Sequence, residues 1–86
     1  MVVWKYELEI TDRQELPLPA GAVILSVANQ RGKLCLWAMV NPIVITSIRC
    51  IEIIGTGHQI QDLGGLKYIG TVVIDPLVWH VFERKG

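Results

Sequence analysis

The sequence has no run of like charge, no apolar stretch long enough to cross a bilayer, and no helical apolar period flanked by capping signals. Each absence excludes a class of protein. Eight Lys and Arg are balanced by eight Asp and Glu. There is thus no basic field to neutralise phosphates, and nucleic-acid binding is not expected as a main role. The longest nearly apolar stretch, Leu34 to Ile48, is interrupted by Asn41, Pro42, Thr46 and Ser47 and is too short for a membrane helix. The opening residues reach Lys5 and Glu7 without the apolar segment of a secretory signal. Asp62 to Leu66 offers at most one helical turn, opposed by Gly64 and Gly65.

Cysteine is scarce. In the cytosolic setting these features predict, Cys35 and Cys50 are reduced thiols. With His58 and His80 they make no Cys-x-x-Cys or His-x-x-x-His pair, so neither a metal site nor a cofactor is expected. Both thiols lie mid-strand among apolar residues, where burial suppresses the reactive thiolate. Packing is their expected role, even if the strands flanking the Asn41-Pro42 turn make the two cross-strand neighbours. The carboxylates are no better placed for catalysis. Glu7 and Glu9 belong to a wet strand face, and Asp12, Glu15, Asp62 and Asp75 to turns. The chain is therefore expected not to be an enzyme.

Apolar residues are what the chain has in plenty. They make up 51% of its 86 residues, against a usual share of about 45–50% that includes glycine. A single domain of this size has little interior, so the surplus must either face solvent or be covered by a partner. Self-association is the expected answer.

Period two dominates. Trp4 to Ile10 places apolar residues at every even position and charged ones at every odd position, as a strand with one buried face requires. Leu16 to Ala22 carries Pro17 and Pro19 and is expected to be an extended connector turning at Ala20-Gly21. A hairpin follows, with strands Ala22–Gln30 and Leu34–Val40 around Arg31-Gly32. Its expected register sets Val27 opposite Leu36, Leu25 opposite Ala38 and Val23 opposite Val40. Ile24, Ser26 and Ala28 then share the other face with Met39, Trp37 and Cys35. That face is also apolar, so it needs a second sheet or another subunit over it. Further strands are expected at about 46–54, 66–74 and 77–83, with a fraying tail of Arg84, Lys85 and Gly86. The spacing predicts an all-β fold, a small antiparallel sandwich or open barrel of about six strands.

Candidate functional residues are few. Gly55-Thr56-Gly57-His58 opens the longest polar loop. Two glycines around a hydroxyl can aim backbone N–H groups at a small anionic ligand, with His58 as a further donor. No amphipathic helix follows, so neither a phosphate loop nor a dinucleotide fold is supported. The reading preferred over this ligand loop is a wide structural turn in which the glycines supply positive φ and Thr56 bonds the backbone. His80 shares a strand face with Val78 and Phe82 and is expected to be hydrogen-bonded in the interior or at an interface. Large aromatics suit subunit contacts, so Trp37, Met39, Trp79 and His80 are the expected interface residues.

The motifs Trp4-Lys5-Tyr6-x-Leu8, Leu18-Pro19-Ala20-Gly21-Ala22 and Leu36-Trp37-Ala38 lead on to Gly55-Thr56-Gly57-His58, Tyr68-Ile69-Gly70-Thr71 and His80-Val81-Phe82-Glu83. In this order, over nearly the whole chain, they resemble a family of short uncharacterised proteins encoded by bacteriophages and prophages. Ile43 to Ile51 is more apolar than the corresponding stretch of that family. The resemblance implies no activity. It implies a phage or prophage origin, and so a place in the bacterial host cytoplasm or in a virion. The expected role is a non-enzymatic homo-oligomeric binding protein, sequestering a small signalling ligand or a host protein in counter-defence. The alternative is a minor virion or assembly component.

Overall fold

Pro17 and Pro19 lie within a strand, because that strand forms a sheet edge. The computed structural model describes residues 1–85. It contains seven strands: β1 (Val2–Glu7), β2 (Arg13–Pro19), β3 (Val23–Gln30), β4 (Lys33–Val40), β5 (Thr46–Gly55), β6 (Leu66–Ile74) and β7 (Leu77–Arg84). The expected connector at 16–22 is thus corrected in part to strand β2, paired with β5. The Ala20 N–H donates to the Ile45 carbonyl at 2.8 Å. By alternation, the even residues of β2 face β5 and the odd ones face outward. Both proline nitrogens therefore fall on the open side, where no ladder donor is needed.

The strands form two antiparallel sheets, one ordered β1-β4-β3 and the other β2-β5-β7-β6. They pack as an all-β sandwich that does not close into a barrel. Leu34, Leu36, Ala38 and Val40 from β4 meet Leu16, Leu18, Ile51, Ile53, Val72 and Val81 in one core. Leu36, Ala38, Val40, Leu18, Ile51 and Val81 are fully buried.

The β3–β4 hairpin turns at Arg31 and Gly32, both with positive φ (54° and 81°). Val27 stands opposite Leu36, but the register slips between Ile24 and Ser26, so Ile24 faces Ala38 and Val23 faces Met39. Leu25 is the extra residue of a bulge, which corrects the expected Leu25/Ala38 and Val23/Val40 pairs. The bulge directs Ile24 onto the core cluster and leaves Leu25 half exposed.

Strands β4 and β5 belong to different sheets, so Cys35 and Cys50 are not cross-strand neighbours. After Asn41-Pro42 the chain changes sheet, and Ile45 pairs toward β2. Cys35 is buried, and Cys50 accepts a hydrogen bond from Arg13 Nε at 3.2 Å. The sheets meet along β3 and β6, where Asn29 Nδ2 donates to the Val73 carbonyl at 3.1 Å. A Cβ on Gly70 would stand 2.8 Å from Val27 Cγ2, so this approach requires glycine. The tail is more ordered than expected: Arg84 closes β7, and Lys85 N–H donates to the Gly65 carbonyl at 2.8 Å. Gly86 lies outside the described residues.

Candidate functional site

The Gly55–His58 segment folds on itself. His58 N–H donates to the Gly55 carbonyl at 3.1 Å, and Gly57 sits at φ 89° in the turn so closed. Thr56 N–H donates to the Val78 carbonyl at 3.3 Å. Two of the four amides that could have cradled an anion are thereby spent within the fold. Gly55 is glycine for packing reasons. An added Cβ would come within 3.2 Å of both the His58 and the Trp79 rings, so the two aromatic side chains close over the bare backbone.

A cleft of about 560 Å³ opens where the 56–65 loop faces the start of β2. His58 lines it, while Gly55, Thr56 and Gly57 do not. Its charged lining is Arg13 and Arg84 against Asp12, Glu52 and Asp62, two positive groups to three negative ones. Glu52 is shared. Arg84 Nε and Nη2 bind its two oxygens at 2.7 and 3.0 Å, and Arg13 Nη2 reaches it at 3.1 Å. Arg84 Nη1 also donates to the Gly64 carbonyl at 2.6 Å, tying the loop to β7. The Arg84 hydrogen bonds outweigh burial and hold the Glu52 carboxyl below the usual carboxylate range. The same contact raises Arg84 above its own. With both guanidinium groups engaged by carboxylate, the cleft offers no surplus positive charge to a small anion.

None of Arg13, Glu52, Asp62 and Arg84 stands in a motif that marks a site, and Asp62 and Arg84 were expected only as a turn residue and a tail residue. Glu52 shares β5 with Arg49, and Arg84 shares β7 with Glu83, so each largely apolar strand carries one charge of each sign, and that was the available signal. Which charges meet depends on the β5–β7 register, which places Arg84 beside Cys50 and diagonal to Glu52.

The four expected interface residues lie on three surfaces. Trp37 and Met39, both half-buried, occupy the outer face of β4. Trp79 packs inward against the core. His80 faces outward from β7, with Nε2 2.8 Å from Thr56 Oγ1 and Nδ1 3.0 Å from Thr71 Oγ1. The Thr71 hydroxyl also bonds that of Tyr68, whose ring meets Phe82 edge-on with centroids 5.5 Å apart. His80 thus braces the 56–65 loop against the sheet.

The fold and cleft define a small two-sheet antiparallel sandwich whose cleft arginines, Arg13 and Arg84, are paired with carboxylates. The chain belongs to a family described as a domain of unknown function, DUF7352, whose model matches residues 1–86. No match was found among curated proteins or among solved structures. No helix among the described residues is long and apolar enough to cross a membrane.

Proposed function

We propose that this is a non-enzymatic homo-oligomeric binding protein that acts by occupying a protein partner. One observation carries the reading: large apolar side chains stand in solvent together. On the outer face of the three-stranded sheet Val3 is 55%, Val23 48% and Leu25 50% exposed, beside half-buried Trp37 and Met39. On the chain between the sheets, Ile43 is 91% and Ile45 83% exposed. Scattered apolar residues are ordinary on a surface, but adjoining ones favour association. The paired charges of the cleft and the satisfied ring nitrogens of His80 support binding over catalysis. They also favour a protein over a small anion as the thing bound. The resemblance to short phage and prophage proteins supports action in an infected bacterium, with sequestration of a host protein as the role.

Size-exclusion chromatography with light scattering tests the oligomeric half. The purified protein is expected to run as a dimer or larger species at micromolar concentration. A strict monomer there overturns the proposal.

A further inference from the structure

A two-sheet sandwich has four edges, and three of these are closed to further pairing. The edges β3 and β6 lie against each other, joined by the Asn29–Val73 hydrogen bond and by Val27 over Gly70. The edge β2 turns its two proline nitrogens outward and so lacks two of the donors a new strand would need. The edge β1 has no such protection. It pairs with β4 in one unbroken register, Val2 opposite Val40 through Glu7 opposite Cys35. It contains neither proline nor bulge.

The direction of its free backbone groups follows from one bond. Leu8 N–H donates to the Leu34 carbonyl at 2.8 Å, so the even residues of this strand face β4. By alternation, Val3, Lys5 and Glu7 present N–H and C=O to the open side. Beside them Val2 and Trp4 are each 43% exposed.

We propose that β1 is the seam at which two copies of this chain join, antiparallel about a two-fold axis at Tyr6, making one six-stranded sheet from two three-stranded ones. The location rests on the homo-oligomeric reading above; the register rests on charge. An axis at Lys5 would put Lys5 opposite its own copy, and an axis at Trp4 would leave Lys5 opposite Val3. An axis at Tyr6 sets Lys5 opposite Glu7 of the second copy, and Glu7 opposite its Lys5. Like charges directly opposite are unfavourable and opposite charges favourable. Both residues are on the open side, so each Lys5/Glu7 pair also exchanges two backbone hydrogen bonds. The Lys5 ammonium already donates to Gln30 Oε1 at 2.6 Å and retains donors for a carboxylate. The ladder stops at Glu7, because Glu9, which this register sets opposite Val3, has its N–H and carbonyl occupied by the Gln14 side chain at 3.2 and 2.7 Å.

Charge reversal tests both location and register. Lys5→Glu and Glu7→Lys, each alone, place two like-charge pairs across the axis and are expected to weaken self-association about tenfold or more. Both sites are exposed, and circular dichroism would confirm that each variant remains folded. An equimolar mixture restores opposite charges at every pair and is expected to recover the assembly as a heterodimer. If the wild type assembles and both single variants assemble equally well, the seam lies elsewhere; the β1 proposal falls while the oligomeric reading stands. If the single variants dissociate and mixing fails to rescue them, the Tyr6 register is wrong. If the wild type is monomeric, both proposals fall.

Discussion

Arg49 and Glu83 meet across β5 and β7 on the face of the four-stranded sheet that looks into the sandwich. Arg49 Nε and Nη2 each donate to a Glu83 oxygen, the latter at 3.0 Å, and Nη1 donates to the Ala22 carbonyl at 2.8 Å. Glu83 is 5% exposed, and its strand neighbours Ile51 and Val81 are fully buried. A bidentate pair at the margin of an apolar core is sensitive to the loss of either partner, because the other is left charged and poorly solvated.

Single removal should therefore cost more than double removal. Glu83→Leu or Arg49→Met alone is expected to lower unfolding free energy by about 3 kcal/mol. The double variant should cost clearly less than the sum of the two. Denaturant titration of the four proteins checks this, and additive losses would show the two side chains to be uncoupled.

Acid should act through the same pair and through Glu52. The Arg49 hydrogen bonds hold Glu83 below its ordinary pKa, as those of Arg84 do for Glu52. The unfolded chain thus takes up these protons first as pH falls. The stability they contribute is complete above about pH 4.3, the unperturbed glutamate value, and is lost as pH drops through the lowered folded values. Denaturant midpoints should fall steeply below that point. Glu83→Gln should start lower at neutral pH and show a shallower acid slope.

Gly70→Ala should strain the contact between the sheets. The added methyl would stand 2.8 Å from Val27 Cγ2, a β-branched side chain with little room to rotate. A loss of about 1–2 kcal/mol is expected. Val27→Ala combined with it should restore part of that loss, because the clashing atom is gone. Thermal unfolding of the single and double variants reads the difference.

Tyr6→Phe should be close to neutral or slightly stabilising. The Tyr6 hydroxyl is buried without a hydrogen-bond partner among the described residues, and burial raises its pKa. Deleting it removes an unmet polar group and leaves the ring packing in place. A loss above about 1 kcal/mol in chemical denaturation would show that the hydroxyl is satisfied in solution.

Much of the strand pattern was legible because a two-residue period is a local property. Leu66–Ile74 is the strand its alternation implied, and the Arg31-Gly32 turn sits where its positive-φ glycine allows. Pro17 and Pro19 misled because their effect depends on whether a strand is central or at an edge, which local sequence does not encode. Leu25 misled similarly: an extra residue in a strand changes the register without changing composition. Alternation put His80 on one face with Val78 and Phe82 but left open whether that face was interior or an interface, and its partners Thr56 and Thr71 were not legible.

The sequence by itself determined the all-β class, most of the strand boundaries and the apolar surplus, since each follows from residue type and spacing alone. Only the tertiary structure decided which strands share a sheet, that His58 lines the cleft while Thr56 turns to His80, and that Glu52 and Glu83 lie beside arginines. Those outcomes depend on pairing between residues far apart in the chain, such as Asn29 with Val73, 44 positions on. Register across such separations is set by packing of the whole core and by the closure of loops.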